Sequence, residues 1–502
     1  MTVPVGTVAS RRAFLAAAGA GIVTGVTGCR SVLLGDSSSG ASAAAGSVEE
    51  WVRSRRAPYF IAHRGEGDVY PEHTMPSYRA AVDAGARALE VSTSSSKDDV
   101  LVCMHDLTLD RTTNTSGPVK ARSWAELQDV AVVQPQLGPR WTTPPLTRIP
   151  SLEEVLEAFA GKTVLCLEAK VDIDYPLLVE LVEKRGLQKS VVFKFFHMSS
   201  RIADAKAAGY PVFVYLGSDD ASEEAIRDAA SGLDRTTDYL VLPTTTLDGA
   251  DLPDAAVRTA VGTGVSTWVY PVHRRSEAKR YQDLGAEGII TSSLEYVRET
   301  SPLATSDQWA SKAIAPGEMT RHPDRAENGP SWTSQDELTL ARDGAQRFLT
   351  LGQLAPVANA QGRYSISFEA RWNKLPTDVA AGGFTLAFGH VDDAYYEHRL
   401  GAGDGYHAIC RADGSLSIFS HTRGSADGFQ LSGTSQAPIR TGQWMSMRLE
   451  VTPSTLVWSR LGTSDVASVV ATDARFRGGY LHIGRHSADG SLSLRRLRVD
   501  PV

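Results

Sequence analysis

Short apolar and β-branched runs alternate with amphipathic segments of helical spacing between about residues 56 and 298. Apolar runs without polar alternation are typical of strands buried on both faces, and their alternation with helices predicts a parallel sheet. Eight or so repeats favour a closed (β/α)8 barrel, the TIM-barrel fold. There are nine strand candidates for eight places, so one is expected to be accessory: YFIAH, ALEVS, VLVCMHD, TVLCLEAK, VVFKFF, VFVYL, YLVLP, STWVYP and EGIIT.

The segments between these strands have the spacing of amphipathic helices, and most end at a glycine. No helix fits between Ser92 and Val100, so the second crossover is expected to be irregular. The predicted helices are MPSYRAAVDAGA, SLEEVLEAFAG, PLLVELVEKRG, RIADAKAAG and SEAKRYQDLGA.

A different pattern begins after residue 335, where apolar and polar residues alternate strictly between Gly, Asp and Ser turns. Such alternation predicts an antiparallel β-sandwich over 336–502. Residues 301–335 are rich in Pro, Ser and charge and are predicted to link it to a barrel domain of 51–300. The strand candidates are RYSISFEARW, GFTLAFGH, GYHAICRA, SLSIFSHT, WMSMRLEVT, TLVWSRLG, YLHIGRH and LSLRRLRVD.

The N-terminus has the features of an export signal. Arg11 and Arg12 precede a weakly apolar segment that ends in VTGC at Cys29. Paired arginines before such a segment indicate twin-arginine export, and VTGC resembles a lipobox, so residues 1–29 are predicted to be a lipoprotein signal. Residues 30–50 would then tether the protein to the outer face of the cytoplasmic membrane or the cell surface. An uncleaved anchor or an ordinary signal peptide is the alternative.

Charge and cysteine content restrict the function further. The 502-residue chain has a net charge of −7, which provides no basic surface for nucleic acid. If Cys29 is lipidated, three cysteines remain, and an odd number argues against a disulfide framework. Cys103 and Cys166 each precede a candidate site residue by two positions and are predicted to be buried free thiols beneath the site.

Polar side chains accumulate at the ends of the first strands. Active sites of such barrels lie at the C-terminal ends of the strands, and burying several polar groups there without a purpose is costly. Carboxylates bind a hard cation, Arg and Lys neutralise phosphate, and two imidazoles can act as acid and base. The set therefore suits phosphoryl chemistry: His63, Arg64, Glu72, Glu90, His105, Asp106, Glu168 and Lys170.

The spacing of these residues resembles that of the glycerophosphodiester phosphodiesterase family from Tyr59 to Val297. The resemblance implies a metal-assisted barrel enzyme that cleaves glycerophosphodiesters to an alcohol and glycerol 3-phosphate. Teichoic-acid-like polymers are a second substrate source. The resemblance is carried by IAHRGEGDVYPEHT, GARALEVSTSSSKDDVLVCMHDLTLDRTTNTSG, RIPSLEEVLEAF and LCLEAK.

The resemblance also implies roles for the residues that match. His63 and His105 would be the catalytic acid/base pair and Arg64 a phosphate contact. Lys170 would contact phosphate or position a ligand, and Glu72 would be a further carboxylate at the substrate.

The same resemblance implies a divalent cation, Ca²⁺ or Mg²⁺, bound by Glu90 and Glu168. The family's second ligand after Glu90 is an aspartate, and here it is Ser92, which retains an oxygen but loses the charge that dominates affinity for a hard ion. Glu72 is a further candidate ligand, and Asp68 or Glu66 would be alternative sources of the missing charge.

Other family motifs are also altered. The residues that differ from the family's pattern are His73, Phe195, YPVH from Tyr270 and TSSL from Thr291. Since both histidines, Arg64 and the E-x-K pair are retained, we interpret the chain as a divergent active enzyme. The alternatives are a phospholipase C- or D-like reaction on intact lipids and a catalytically impaired surface protein that binds glycans.

In the C-terminal region, GQWMSMRLEVTPSTLVWSRLG and the closing GSLSLRRLRVD are similar to concanavalin/laminin-G-like sandwiches. This resemblance implies a jelly-roll, lectin-like domain, and such domains often bind glycans. A cell-wall glycan ligand and a purely structural role both remain open, and residues 392–407 would bind the glycan or cap the barrel. The aromatic candidates are Trp372, Tyr395, Tyr396, Tyr406 and Trp458.

Overall fold

The computed structural model describes residues 46–298 and 331–502, except 55–58, 135–136, 138–140, 143, 249, 335–336, 342–346, 354–361, 394–403, 424, 426–427, 435–438, 463–465 and 488. The predicted signal peptide with Cys29 and most of the predicted linker fall outside these residues. Among the helices that are described, none is long and apolar enough to cross a membrane.

The first region is a closed barrel of eight parallel strands, as the alternating pattern predicts. Neighbouring strands pair in the order β1, β11, β10, β9, β8, β7, β6, β2, and β1 also pairs with β2. The strands of this region are β1 (Tyr59–Ala62), β2 (Ala88–Ser95), β3 (Leu101–Cys103), β4 (Ala131–Val132), β5 (Thr147–Arg148), β6 (Val164–Ala169), β7 (Val191–Phe196), β8 (Val212–Tyr215), β9 (Tyr239–Pro243), β10 (Ser266–Val272) and β11 (Gly288–Thr291).

The helices pack outside the strands, apart from the first. Several begin with a side chain that caps free backbone N–H groups, such as Ser151, which forms a capping box with Glu154. The helices are α1 (Val48–Ser54), α2 (Met75–Asp83), α3 (Trp124–Gln128), α4 (Leu152–Phe159), α5 (Tyr175–Lys184), α6 (Arg201–Ala207), α7 (Glu223–Ser231), α8 (Asp254–Gly262), α9 (Arg275–Asp283) and α10 (Leu294–Arg298). Short 3₁₀ turns cover Val119–Ala121, Asp172–Asp174 and Gln188–Ser190.

The accessory strand candidate is VLVCMHD. Its strand β3 is antiparallel to β2, with Thr93 opposite Cys103. The two strands form a hairpin that rises above the barrel and returns, so that the Met104 N–H donates to the Ser92 carbonyl at 3.1 Å. The interpretation of His105 as the end of a rising barrel strand is therefore wrong, but the descending strand still delivers it to the rim.

The barrel interior is layered. At the end where the strands begin, Trp51 of α1 is buried among aromatic residues that include Tyr59, Tyr239 and Trp268. This apolar layer closes that end of the barrel. α1 begins at Val48, inside the range expected to be tether. Towards the opposite end the inward side chains become polar, and that end carries the candidate site.

The second region is a sandwich of two antiparallel sheets. The seven-stranded sheet has the order β12-β13-β24-β15-β20-β21-β22, and the six-stranded sheet has the order β14-β23-β16-β17-β18-β19. The strands are β12 (Ser331–Ser334), β13 (Glu337–Leu340), β14 (Arg347–Gln353), β15 (Tyr364–Lys374), β16 (Gly383–Gly389), β17 (Gly405–Arg411), β18 (Leu416–His421), β19 (Phe429–Thr434), β20 (Met445–Val451), β21 (Thr455–Leu461), β22 (Ala467–Thr472), β23 (Gly478–Arg485) and β24 (Ser491–Pro501).

The aromatic candidates for glycan contact in this sandwich are largely core residues. Trp372, Tyr406 and Trp458 are fully buried between the sheets. Tyr395 and Tyr396 lie outside the described residues. The described aromatic side chains of this set therefore offer no exposed face to a sugar ring.

Asp393 joins the sandwich region to the barrel. Its carboxylate accepts hydrogen bonds from the backbone N–H groups of Arg275 and Ser276, both at 2.8 Å, and from the Tyr296 hydroxyl at 2.7 Å. The two backbone N–H groups lie at the start of α9, where a helix favours negative charge, and Tyr296 belongs to α10. The beginning of the predicted capping segment thus binds a barrel helix, and residues 394–403 of it are not described.

The cysteine prediction is confirmed for the residues that can be inspected. Cys103, Cys166 and Cys410 are buried and free. Burial in apolar surroundings raises the pKa of each of these thiols.

Candidate active site

The candidate residues come from the ends of β1, β2 and β6 and from the descending arm of the β2–β3 hairpin. In parallel strands, residues two positions apart share a face, and Glu90, Ser92 and Glu168 all point inward. His63 and Arg64 follow β1 directly, and Arg64 adopts a left-handed backbone conformation with φ of 56°. The fold thus brings the residues from all four segments to one rim.

Four charged side chains form a buried group that we call the lysine cluster: Glu90, Glu168, Lys170 and Lys194. Lys194 of β7 donates a hydrogen bond to Glu90 Oε1 and lies 3.4 Å from Glu168 Oε2. Lys170 donates to Glu168 Oε1 at 3.0 Å. Each carboxylate of the cluster is thus paired with at least one ammonium group.

Two hydroxyl groups complete the surroundings of Glu168. The Tyr215 hydroxyl donates to Oε1 at 2.8 Å, and Ser92 Oγ donates to Oε2 at 2.8 Å. Although burial opposes ionisation, the attraction of Lys194 and Lys170 holds the pKa of Glu168 well below its usual value. Glu168 is therefore an ionised carboxylate with donors on both oxygens.

A second group, the arginine cluster, lies nearer the solvent: Arg64, Glu72, Asp106 and Arg111. Arg111 binds Glu72 through two nitrogens at 2.8 and 2.7 Å and Asp106 Oδ2 through Nε at 2.7 Å. Arg64 adds a contact to Glu72 at 3.2 Å. The two guanidinium groups hold the pKa of Glu72 well below its usual range despite burial.

His105 lies between the two clusters. Its Nδ1 is 2.8 Å from Asp106 Oδ1 and its Nε2 is 3.4 Å from Lys170 Nζ. An ionised carboxylate only accepts hydrogen bonds and an ammonium only donates, so the proton is on Nδ1 and the Nε2 lone pair faces Lys170. Burial, then Arg64 and Lys170, lower the pKa of His105 well below its usual value, so this imidazole is neutral at neutral pH.

His63 is more deeply buried than His105, with 2% against 27% of the side chain exposed. Its Nδ1 is 2.7 Å from Ser292 Oγ, and its Nε2 is 3.6 Å from Glu90 Oε2. Ser292 belongs to the altered TSSL motif, so the altered loop still positions this histidine. The structure therefore brings both predicted histidines to the rim, but only His105 has substantial solvent contact.

Comparison with known proteins identifies the barrel. Residues 63–295 match the model of the Glycerophosphoryl diester phosphodiesterase family. The barrel is a domain of this family. The sandwich lies outside the matched range.

Relatives of this phosphodiesterase-family domain include two named glycerophosphodiester phosphodiesterase. The Bacillus subtilis protein is 36% identical over 124 residues, which cover 24% of this chain and 42% of the relative. The Caldanaerobacter subterraneus protein is 28% identical over 246 residues, which cover 47% of this chain and 94% of the relative. The chain thus spans less than half the length of the first relative and nearly all of the second.

Solved structures similar to the family domain include a phosphodiesterase from Oleispira antarctica in complex with the product sn-glycerol-3-phosphate. It has 20% sequence identity and a TM-score of 0.40, and the match covers 48% of this chain and 96% of that one. A glycerophosphoryl diester phosphodiesterase from Parabacteroides distasonis has 21% identity and a TM-score of 0.41, covering 52% and 94%.

The residues present do not fit the divalent cation that the resemblance implies for such a domain. Within the described part of the chain, no three His, Cys, Asp or Glu side chains are arranged to hold a metal ion. Both oxygens of Glu168 already accept hydrogen bonds, Glu90 is held by Lys194, and Ser92 donates to Glu168. Glu72 is bound by the two arginines.

The other carboxylates considered as sources of the missing charge have their own partners. Glu66 accepts from the Leu294 backbone N–H at 3.0 and 3.1 Å, and Asp68 lies 2.6 Å from His273 Nδ1. Neither Glu66 nor Asp68 therefore takes the place of the carboxylate that Ser92 lacks.

Sequence reasoning missed three residues of the site in this family domain. Lys194 and Tyr215 lie inside apolar strand sequences, VVFKFF and VFVYL, where the only signal is a charged or hydroxyl group in a buried strand. Arg111 lies in the motif that carries the resemblance, and its pairing with Glu72 spans 39 residues of sequence. His73, at an altered motif position, is 2.7 Å from the Tyr78 hydroxyl through Nδ1, and burial lowers its pKa to about 3.

Proposed function

We propose that the barrel hydrolyses glycerophosphodiesters to an alcohol and glycerol 3-phosphate. The observation that carries the proposal is the neutral His105, held through Nδ1 by Asp106 with its Nε2 lone pair turned towards Lys170. A fixed imidazole beside an ammonium group supplies a proton acceptor next to a phosphate-binding charge. The family match and the names of the relatives support the same activity.

His105 acts as the general base in this reaction. Its Nε2 accepts a proton from the attacking water while the new P–O bond forms. Lys170 and Arg64 bind the phosphoryl oxygens and stabilise the charge that develops on them. Asp106 keeps the imidazole in the required tautomer and orientation.

His63 acts as the general acid. The bond from phosphorus to the leaving alcohol oxygen breaks as His63 gives its proton to that oxygen, so the proton taken by His105 is balanced by the one released. The Glu90 carboxylate lies 3.6 Å from Nε2 of this imidazole. No step requires a cation beyond those of the side chains.

The test is release of glycerol 3-phosphate from glycerophosphocholine, glycerophosphoethanolamine and glycerophosphoglycerol in a coupled assay. Turnover of at least one of these, lost in His105→Ala, supports the proposal. Vesicles of intact phosphatidylcholine and phosphatidylglycerol test the phospholipase alternative in parallel. Cleavage of the vesicles without cleavage of the deacylated substrates would contradict the proposal.

We further propose that the protein is exported by the twin-arginine route and anchored by a lipid on Cys29, outside the cytoplasmic membrane. Arg11, Arg12 and the VTGC sequence support this. Cys29→Ser is expected to move the protein from the membrane fraction to the soluble fraction with its activity unchanged. A variant that still sediments with membranes would contradict the lipid anchor.

A further inference from the structure

Lys194 provides a fixed positive charge between the two carboxylates that the resemblance assigns to a metal ion. Its ammonium group donates a hydrogen bond to Glu90 Oε1 and lies 3.4 Å from Glu168 Oε2. Lys194 of β7 thus links a carboxylate of β2 to a carboxylate of β6. Only 7% of the Lys194 side chain is exposed, and the two carboxyl groups are exposed by 2% and 3%. This is an internal group of ion pairs on regular strands.

The side of the ammonium group away from the carboxylates is also enclosed. Lys194 Nζ lies 4.6 Å from the centre of the Tyr215 ring and 5.5 Å from that of Tyr270, distances typical of cation–π contacts. The Tyr215 hydroxyl in turn donates to Glu168. The lysine is therefore held by the two carboxylates and by the two tyrosine rings.

The charges of the lysine cluster already balance. Two carboxylates, Glu90 and Glu168, face two ammonium groups, Lys170 and Lys194. A divalent cation added to this group would leave two uncompensated positive charges in a buried site, and uncompensated buried charge is strongly disfavoured. Ser92 adds no negative charge to offset them, because its hydroxyl donates to Glu168.

Two features of the cluster thus act together. Ser92, where the resembled family has an aspartate, supplies no negative charge, and Lys194 supplies a positive charge next to the two carboxylates. An aspartate at position 92 or the loss of Lys194 would each leave the cluster unbalanced, whereas the residues present make it neutral. Ser92 thus provides no charged ligand, and Lys194 occupies the space between the two carboxylates.

We propose that Lys194 takes the place of the divalent cation, so that this site binds no Ca²⁺ or Mg²⁺ and cleaves its phosphodiester without one. The proposal rests on the phosphodiesterase function proposed above, but its binding test does not. Lys194 neutralises and spaces Glu90 and Glu168, and Lys170 makes the contact with phosphate. Lys194 is thus a positioning residue, not a group that touches the substrate.

The first experiment measures binding to the purified wild-type chain, without substrate. CaCl₂ and MgCl₂ up to 5 mM are titrated by calorimetry, and the thermal unfolding midpoint is recorded with each salt against NaCl of equal ionic strength. We expect no binding heat and no midpoint shift above the NaCl control. Saturable binding that raises the midpoint and is weakened by Glu168→Gln would overturn the proposal, whatever the enzyme's activity.

The second experiment removes the internal charge. Lys194→Met keeps the length of the side chain but leaves Glu90 and Glu168 without their shared ammonium group. We expect this variant to gain a Ca²⁺- or Mg²⁺-dependent rise of the unfolding midpoint that the wild type lacks. A folded variant that responds to these ions no more than the wild type would count against Lys194 as the occupant of the cation position.

Lys194→Arg and Ser92→Asp are the matched variants. Lys194→Arg retains the charge and is expected to remain insensitive to both ions. This variant can be compared with the wild type even if Lys194→Met is too unstable to purify. Ser92→Asp in the Lys194→Met background restores the missing carboxylate, and we expect at least ten-fold tighter ion binding than in Lys194→Met alone. Ion binding by Lys194→Arg equal to that of Lys194→Met would overturn the proposal.

Activity provides a separate readout. The wild type is expected to keep its full rate in 5 mM EDTA after passage over a chelating resin, and Lys194→Met is expected to lose about 100-fold in kcat/KM, with partial recovery in Ca²⁺ or Mg²⁺. Loss of wild-type turnover in EDTA, restored by either ion, would overturn the proposal. Absence of turnover under all conditions would refute the proposed function, while the binding titrations would still decide the role of Lys194.

Discussion

The lysine cluster and the arginine cluster have the same charge composition but different surroundings. Each contains two carboxylates and two cationic groups. In the lysine cluster Glu90, Glu168 and Lys194 are almost completely buried on regular strands, whereas in the arginine cluster Arg111 and Asp106 are 17% and 29% exposed and lie beyond β3. The deep cluster is therefore fixed by the barrel, and the outer one is fixed mainly by its own hydrogen bonds.

The chemistry of the cationic groups follows this difference. An ammonium group is a compact charge that fits between two strands, while a guanidinium group binds two carboxylates at once through its planar set of donors. Lys194 accordingly bridges Glu90 and Glu168 within the barrel, and Arg111 holds Glu72 and Asp106 in the loops. We infer that the deep cluster sets the charge of the site and the outer cluster orients His105.

The largest effect is expected from the two histidines of the rim, of which His105 lies between the two clusters. His105→Ala and His63→Ala should each lower kcat/KM by about 10²–10⁴-fold, because each removes one of the two proposed proton-transfer groups. The assay is release of glycerol 3-phosphate, with circular dichroism to verify folding and His486→Ala in the sandwich as the control. Near-normal turnover in either variant would remove that histidine from the mechanism.

The next prediction compares the stability of the two clusters. Glu168→Gln removes a carboxylate that pairs with the buried Lys194 and the partly exposed Lys170, and it should lower the free energy of unfolding by about 3–5 kcal/mol. Glu72→Gln in the more exposed cluster should cost about 1–2 kcal/mol. The measurement is urea unfolding of both variants and the wild type at pH 7. Equal losses would show that burial does not distinguish the clusters.

Glu66 extends the comparison to a carboxyl group outside both clusters, which is neutralised by a bound proton and not by a cationic side chain. Burial raises the pKa of Glu66 to about 8 despite hydrogen bonds from the backbone. Since the folded protein holds this proton more tightly than the unfolded chain, the stabilisation is complete below pH 4.5 and is lost as the pH rises to 8.

The resulting loss of stability between pH 5 and 8 is expected to be on the order of 3 kcal/mol. Glu66→Gln cannot ionise and should remove this part of the pH dependence. Urea unfolding of wild type and variant at half-unit pH intervals measures it. Parallel curves for the two proteins would mean that Glu66 is already ionised in the folded state at pH 5.

The smallest effect is expected from the orienting arginine. Arg111→Lys keeps the charge but cannot bind Glu72 and Asp106 simultaneously, so His105 should be held less firmly. We expect kcat to fall about ten-fold with little change in KM, a range consistent with misplacement of a catalytic group. Arg148→Lys, which changes a pair with Glu154 on α4, is the control. A change confined to KM would indicate that Arg111 binds substrate directly.

Local patterns in the sequence were sufficient for most of the architecture. Apolar runs alternating with helices predicted the parallel barrel, and strict two-residue alternation predicted the sandwich, because each pattern reflects which faces are buried. The helices α7 and α8 were missed although Ser222 caps α7 through the Ala225 N–H at 3.1 Å. Their sequences are rich in alanine and polar residues, so few large apolar side chains mark the buried face.

The site was predictable where it follows sequence motifs and was not where it depends on contacts between strands. His63, Glu90, His105 and Glu168 were placed on the rim by their positions after apolar runs. The pairing of Lys194 with Glu90 joins residues 104 positions apart, and nothing local indicates it. The sequence could not show that these residues do not fit a divalent cation, because the lysine that pairs with the carboxylates comes from a distant strand.

Trp51 has a practical consequence for work with this protein. Because α1 inserts Trp51 among Tyr59 and the other aromatic residues at the closed end of the barrel, the chain preceding Val48 joins the barrel at the end away from His63 and His105. A biotin or resin attached ahead of Val48 would hold the protein on a sensor surface with its open rim free to meet dissolved phosphodiesters. A truncation that begins after Trp51 would remove a side chain that is 1% exposed and leave a cavity within the aromatic layer.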